Sequence, residues 1–339
     1  MEWKGLKVAV LGGCSFIGSH LVEALVHRGA KVFVADNLSS GKLSNIQPLI
    51  DQGLIKFYQG DLRWMKYAFY AVRHRDVVFH LAADHGGRGY VDLHQAACAT
   101  NLGLDSTVFR ACLESHGPGK VVFASSGCVY PNYLQTDPTK ELYLTEEMVG
   151  PPFDCDGMYG YAKLMAEKTL QAFHHDHKLK SASVRIFTVI GERMKEDHAI
   201  CAMIARAFIQ QVPFEIWGDG TQVRNWTYIS DVVNGLLLAA ERIDDGTAVN
   251  IGTMERTTVL EAAAQVCTLL GHNTAIYARP DMPTGPLNRV ADNRLARQLL
   301  GWSPEVPFSE GLRKTIQWYV ETHRREEAAG RLTRYLTER

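Results

Sequence analysis

Short apolar runs alternate with stretches of helical periodicity along the first half of the chain. Lys7–Leu11, Ile55–Gln59 and residues 31–35, 76–82, 120–125 and 183–188 read as strands, and residues 17–28 as an amphipathic helix. Strands separated by helices of this length imply right-handed crossovers and a parallel, doubly wound α/β sheet. Both faces of such a sheet are covered, which explains the nearly unbroken apolar run Val77-Val78-Phe79-His80-Leu81-Ala82. Beyond about residue 190 the texture changes. Helical patterns at residues 201–211, 259–270 and 309–322 and at Arg294–Leu300 are separated by loops containing Gly and Pro. The expectation is a sheet domain over residues 1–188 and a smaller, mostly helical lobe over 189–322, with residues 225–250 returning to the sheet. Residues 323–339 read as a charged, solvated terminal helix.

The 339 residues are 46% apolar and 22% charged, an ordinary globular balance for one large domain and a smaller one. The net charge of −1 offers no global basic field for nucleic acid or an anionic membrane, although an anionic small ligand needs only a local pocket of arginines. The start, Met1 to Lys7, runs directly into a strand without the apolar core of a secretory signal. No apolar stretch reaches the roughly 18 residues of a membrane span. Seven scattered cysteines without a C-x-x-C pair suit reduced thiols in a cytoplasm rather than disulfides or a metal site.

The first strand leads through Gly12-Gly13-Cys14-Ser15-Phe16-Ile17-Gly18 into a helix. Glycine there lets backbone N–H groups approach a pyrophosphate at a helix N-terminus. A glycine-rich loop alone could be a plain turn; its place between strand and helix points to a dinucleotide, with Gly12, Ser15, Phe16, Ile17 and Gly18 as binding candidates. Ser15 stands where a glycine is usual. Asp36 ends the second strand roughly twenty residues beyond the loop, where a carboxylate accepts hydrogen bonds from the adenosine ribose and repels a 2′-phosphate. That favours NAD over NADP; the alternative is an Asp36-Asn37 turn. Asp61, in Gln59-Gly60-Asp61-Leu62, either faces the adenine or caps a strand end.

Tyr159-Gly160-Tyr161-Ala162-Lys163 sets Tyr159 and Lys163 one helical turn apart on the same face. A lysine beside the phenol, together with oxidised nicotinamide, is expected to lower the phenol's pKa toward neutrality and make it a base for a sugar hydroxyl. Upstream, a strand ends in Ser125-Ser126-Gly127-Cys128-Val129-Tyr130-Pro131, where an open α/β sheet presents ligand-binding groups.

With these elements in place the chain resembles the extended short-chain dehydrogenases/reductases of the nucleotide-sugar epimerase/dehydratase family. The resemblance covers nearly the whole chain: the loop at residues 12–18, Gly60-Asp61-Leu62, His80-Leu81-Ala82-Ala83, Asn101, Ser126, Tyr159 with Lys163, Trp217-Gly218-Asp219-Gly220 with Arg224, Asn250-Ile251-Gly252 and Gly301-Trp302. It implies a Rossmann fold, NAD as cofactor with Leu62 and Ala82 among its contacts, and a nucleotide-diphosphate sugar as substrate. Ser126 would assist Tyr159, Lys163 would anchor the nicotinamide ribose, and Arg224 and Arg289 would grip the diphosphate. Arginine forks suit phosphate oxygens. The resemblance also implies a homodimer through helices near residues 101–116 and 159–174, whose apolar faces could equally pack on the sheet.

Two segments bear on the reaction. Ala82-Ala83-Asp84-His85-Gly86-Gly87-Arg88-Gly89-Tyr90 is similar to the sugar-pocket loop of GDP-mannose 3,5-epimerases, which marks Gly87 and Arg88. The segment from Ser126 to Pro131 is similar to the one that supplies a catalytic cysteine in those enzymes and in GDP-fucose synthases, which marks Cys128. His198 matches the second acid/base of GDP-fucose synthases. This implies oxidation at the sugar C4 followed by proton exchange at C3 and C5. Thr188 instead resembles UDP-glucuronate 4-epimerases, so a UDP-sugar 4-epimerase, with Cys128 a strand-end residue and His198 a helix-start surface residue, is the rival. Gly127-Cys128 fills the place of the Asp-Glu pair of a dehydratase. A non-catalytic NAD sensor is a third reading, against which Ser126, Tyr159 and Lys163 are all retained.

Overall fold

The computed structural model describes residues 1–115 and 117–335. The chain runs β1 (Lys7–Leu11), α1 (Phe16–His27), β2 (Lys31–Asp36), α2 (Gln47–Asp51), β3 (Ile55–Gln59), α3 (Met65–Val72), β4 (Val77–His80), α4 (Arg88–Leu93), α5 (Gln95–Ala99), α6 (Asn101–Glu114), β5 (Lys120–Ser126), α7 (Gly157–His177) and β6 (Ser181–Ile186). It continues through β7 (Val189–Ile190), α8 (Ala199–Phe208), β8 (Phe214–Trp217), β9 (Val223–Arg224), β10 (Thr227–Tyr228), α9 (Ile229–Arg242) and β11 (Asp245–Ile251). Last come β12 (Thr257–Thr258), α10 (Val259–Leu269), β13 (Ile276–Arg279), β14 (Asn288–Arg289), α11 (Arg294–Leu300), α12 (Phe308–Thr322) and α13 (Arg325–Tyr335).

Seven strands form one sheet in the order β11-β6-β5-β4-β1-β2-β3, every neighbouring pair parallel. Alternate residues of a strand face opposite sides, and β1 feeds two separate cores: Val8 and Val10 join one, Ala9 and Leu11 the other. The sheet is therefore a doubly wound α/β layer with helices on both faces, as the apolar runs require. α9 packs on α1 and β6, and β11 closes the sheet beside β6.

Element boundaries shift where the chain turns into the ligand edge of the sheet. The strand expected over 76–82 stops at His80, because Leu81 and Ala82 are drawn against the β1–α1 turn. A Cβ on Gly12, whose φ is +84°, would stand 2.8 Å from Ala82 N. The strand expected over 183–188 begins two residues earlier and stops at Ile186, and Thr188 joins the cleft wall.

The terminal segment differs from its expected solvated state. Ala328 and Leu332 of α13 are buried against the lobe that carries α8. Arg331 Nε lies 3.7 Å from Glu196 Oε1, which also accepts from Tyr319 Oη at 3.2 Å. A charge-rich helix docks here through two buried apolar positions, too narrow a stripe to read from sequence. Residues 336–339, and His116 at the end of one helix proposed for dimerisation, lie outside the described residues.

Candidate functional site

Because all seven strands are parallel, their C-terminal ends share one edge, and a cleft of about 510 Å³ lies along it. Of the residues given a catalytic or binding role from the sequence, all but Gly18 line this cleft. Gly18 acts instead by close packing: a Cβ there would come within 2.2 Å of Gly12 O.

At one end, α1 points its N-terminus into the cleft. Ser15 is its N-cap but gives the helix no side-chain hydrogen bond; its Oγ donates to Gly12 O at 2.6 Å instead. The first-turn N–H groups are thus directed at the cleft as anion donors. Asp36, buried at the end of β2, accepts from Cys14 N at 3.0 Å and Leu38 N at 2.8 Å, which ties both flanking loops to its carboxylate. An anion at this point matches a ribose diol and repels a 2′-phosphate. Asp61 is gripped by Arg63, with Nη2 2.6 Å from Oδ2, and this hydrogen bond holds its carboxyl below the usual carboxylate range. Asp61 also accepts from Arg63 N at 3.0 Å, so it caps the turn after β3 while still lining the cleft. A helix N-terminus, a ribose-matching carboxylate and buried Lys163 along one cleft fit an NAD dinucleotide.

Deeper in, Ser126 at the end of β5 is hydrogen-bonded to the Tyr159 phenol, and its Oγ accepts from Cys128 N at 3.1 Å. Burial, reinforced by Cys128 and Asp105, pushes Tyr159 well above its ordinary pKa, and the Ser126 hydrogen bond pulls only partly back. The Lys163 ammonium lies 5.7 Å from the Tyr159 ring centroid and 4.5 Å from that of Phe123. Burial lowers its own pKa, against the pull of Asp105. Lys163 by itself therefore does not make Tyr159 acidic.

The other side of the cleft is built by arginines. β14 runs parallel to β9 with Arg289 directly opposite Arg224, so the two side chains share a face. Arg88, at the start of α4, joins them. One carboxylate bridges two of them: Asp156 Oδ2 accepts from Arg88 Nη1 at 2.8 Å and from Arg289 Nη1 at 2.9 Å, and Asp92 also pairs with Arg88. Asp156 is the N-cap of α7, yet its side chain makes no capping bond and serves the arginines instead. Burial would raise its pKa, but Arg289 and Arg88 outweigh it and hold the carboxyl below the usual range. Burial would likewise lower Arg88, but Asp156 and Asp92 outweigh it and push it up. Among the described residues Arg224 has only backbone partners, Val223 O and Thr284 O, each at 2.9 Å. Burial, then the like charges of Arg289 and Arg88, push it down to about 9. Three guanidiniums against two carboxylates, Asp156 and Asp92, leave a net cationic wall suited to a diphosphate.

Cys128 lies at the foot of this wall. Arg289 Nη1 donates to its Sγ at 3.3 Å. Opposite, three rings form a column: His85 is 4.9 Å from Tyr159 and stacked 5.6 Å from His198, centroid to centroid. His198 is indeed a helix-start residue, the N-cap of α8, but its ring lines the cleft. The glycine-rich loop carrying His85 is pinned there, since Gly87 N donates to Asp197 Oδ2 at 3.2 Å. A Cβ on Gly87 would stand 1.7 Å from Asp197 O. Sequence reasoning passed over His85, Asp156 and Asp197. His85 stood in a segment already singled out, and an Asp just ahead of the Tyr159 helix was a readable cap, but its arginine partners lie 68 and 133 residues away.

Residues 8–252 match the model of the NAD dependent epimerase/dehydratase family. The chain belongs to this family. Its cofactor is NAD. Over 331 residues it is 30% identical to a GDP-mannose 3,5-epimerase of Arabidopsis thaliana, covering 96% of this chain and 85% of that one. It is 31% identical to an uncharacterized UDP-glucose epimerase of Bacillus subtilis, covering 95% of this chain and all of that one. Among solved structures, a UDP-glucuronic acid 4-epimerase of Bacillus cereus superimposes with a TM-score of 0.84 at 27% identity, covering 94% of this chain and 100% of that one. Family members of this set act on more than one nucleotide sugar, and the geometry of the cleft bears on the choice.

Proposed function

We propose that this protein is a C3/C5 epimerase of a GDP-hexose such as GDP-mannose. The observation that carries the reading is a cleft on which Tyr159, Cys128 and His198 all open, with Cys128 Sγ held by Arg289 at 3.3 Å. A simple 4-epimerase has no task for a thiol and an imidazole facing the sugar. The relative from Arabidopsis supports the same choice.

NAD supplies reversible two-electron oxidation of the sugar C4 and, in its oxidised form, positive charge beside the phenol. Tyr159 accepts the C4 hydroxyl proton and later returns it, with Ser126 as its hydrogen-bond partner. Lys163, with Nζ 5.7 Å from the Tyr159 ring centroid, would hold the cofactor ribose. The C4 ketone acidifies the hydrogens at C3 and C5. Cys128 and His198 remove and replace those protons, and Gly87 and Arg88 shape the sugar end. Arg224 and Arg289 bind the diphosphate, whose negative charge relieves their mutual repulsion. Thr188 and Trp217 complete the substrate wall.

The test is NMR of GDP-mannose and, separately, UDP-glucuronate incubated with the enzyme in deuterated water. Deuterium at C3 or C5 supports the proposal. A C4 epimer free of solvent deuterium would replace it with the second reading, a UDP-sugar 4-epimerase, which Thr188 and the likeness to the Bacillus cereus structure favour. We further propose a homodimer built on α6 and α7, where Leu102, Tyr161 and Met165 are exposed, and a cytoplasmic setting that suits seven free thiols.

A further inference from the structure

Behind the cofactor end of the cleft, β4 and α6 bring together two polar side chains that line no part of it. His80 and Asp105 are both buried, and Asp105 Oδ1 accepts from His80 Nε2 at 2.8 Å. The pair is only half satisfied. Among the described residues, Asp105 Oδ2 and His80 Nδ1 are buried without a hydrogen-bond partner. Lys163 is buried as deeply, and among the described residues its ammonium makes no hydrogen bond or ion pair. One ring joins the two sides. Phe123 of β5 stands opposite His80 of β4, with ring centroids 5.7 Å apart, and Lys163 Nζ lies 4.5 Å from the same Phe123 centroid.

The titratable groups that face Lys163 come from three elements: Asp105 from α6, Cys128 just beyond β5, and Tyr159 and Glu167 from α7 itself. Two of them are already engaged. Glu167 pairs with Arg185 of β6 at 2.8 Å and accepts from Ser125, and Cys128 Sγ accepts from Arg289. Asp105 is left as the carboxylate with an uncommitted oxygen, and Lys163 as the cation without a counter-ion. A buried ammonium sheds its proton unless a charge holds it. Burial lowers the Lys163 pKa, and Asp105 is the largest influence opposing that fall. The same carboxylate, after burial and Cys128, also raises Tyr159, whose remaining neighbours are Cys98 of α5 and Ser126.

We propose that Asp105, fixed by His80, is a positioning residue that keeps Lys163 cationic at the floor of the cofactor site. The inference rests on the reading of Tyr159 as the base of C4 oxidation and deepens it by naming what sustains the lysine beside that base. An ammonium only donates hydrogen bonds, which suits the oxygens of a ribose diol, and its charge favours a phenolate on the same helix face. His80 holds one carboxylate oxygen and leaves the other uncommitted. Asp105 acts on both neighbours with one sign: removing its negative charge makes Lys163 and Tyr159 alike give up their protons more readily.

The experiment is an NMR titration of the NAD-containing protein with isotope-labelled lysine Cε, in the wild type, Asp105→Asn and Asp105→Thr. The Lys163 signal is identified by its absence in Lys163→Arg. Asparagine and threonine both keep a hydrogen-bonding group for His80 but carry no charge, so the two variants separate charge from packing. Lys163 should titrate at lower pH in both than in the wild type. The same titration in all three proteins, or none in any, overturns the proposal. A second readout is single-turnover reduction of the bound cofactor by GDP-mannose across pH. In Asp105→Asn both limbs of the profile should move to lower pH, so that rates rise on the acid side and fall several-fold on the alkaline side. A lower plateau with unmoved limbs marks a structural role and overturns the proposal. Failure of both GDP-mannose and UDP-glucuronate to reduce the cofactor would sink the epimerase reading, while the NMR titration, which needs no substrate, still decides the role of Asp105.

Discussion

Arg289 donates to Cys128 Sγ at 3.3 Å through the same nitrogen, Nη1, that reaches Asp156 at 2.9 Å. The thiol is thus coupled to the arginines that face the diphosphate. Replacing Cys128 by serine keeps the hydrogen bond but exchanges a thiol for a far weaker acid. Deuterium incorporation at C3 and C5 should fall about a hundredfold or more, while reduction of the bound cofactor by substrate, read from its absorbance in a single turnover, persists. Near-wild-type deuterium incorporation would return Cys128 to a structural role.

Asp156→Asn removes the one carboxylate between Arg88 and Arg289 and should destabilise the ligand-free protein by about 3 kcal/mol. Added pyrophosphate should recover more melting temperature in the variant than in the wild type. The pH dependence has a definite sign. The folded-state pKa of Asp156 is depressed, so its stabilisation is complete above the unfolded carboxyl value of about 4 and is lost as pH falls through the folded value. Melting curves of the two proteins should therefore differ most at neutral pH and converge in acid.

Tyr159→Phe removes the proposed base without changing the ring. Turnover should drop by about a hundredfold to ten-thousandfold with NAD still bound. An active Phe variant would require another proton acceptor in the cleft.

Gly87→Ala would press a methyl group to within 1.7 Å of Asp197 O. Relief requires moving either the loop that carries His85 or the start of α8. Displacement on the order of 1 Å at a reacting centre costs about a hundredfold in rate, and a loss of that size is expected in kcat with modest change in melting temperature. Unchanged kinetics would show that the two loops move together freely.

Removal of residues 324–339 should destabilise the protein by roughly 2 kcal/mol, because Leu332 and Ala328 leave buried positions. Thiol reagents should then reach Cys201, which is fully buried in α8. An unaltered labelling rate would mean that α13 covers nothing essential.

The sheet was legible because parallel strands buried on both faces must be apolar along their whole length, and β1 and β4 announce themselves that way. The cofactor loop was legible because its glycines are clustered in one short stretch between a strand and a helix, even though Gly12 is held by a contact with distant Ala82. The arginine wall was readable only in part. Arg224 and Arg289 stood out by resemblance, but their opposition across β9 and β14 comes from strand pairing over a separation no local pattern encodes. Asp156 was hidden for the same reason. For Tyr159, spacing placed Lys163 on its face, but how strongly that neighbour acts depends on burial, which sequence does not display.

α8 holds a cleft-facing side chain at each end, His198 and Arg206, and a straight helix has a length that side-chain motion cannot adjust. It is a gauge. For the nucleotide-diphosphate sugar proposed above, shortening the ligand by one phosphate should weaken binding, because the helix backbone cannot make up the lost span. One residue inserted between His198 and Arg206 would swing Arg206 about 100° off the cleft. Loops on either side can drift to suit new sugars, but the count of residues along this helix is bound to the size of the whole ligand.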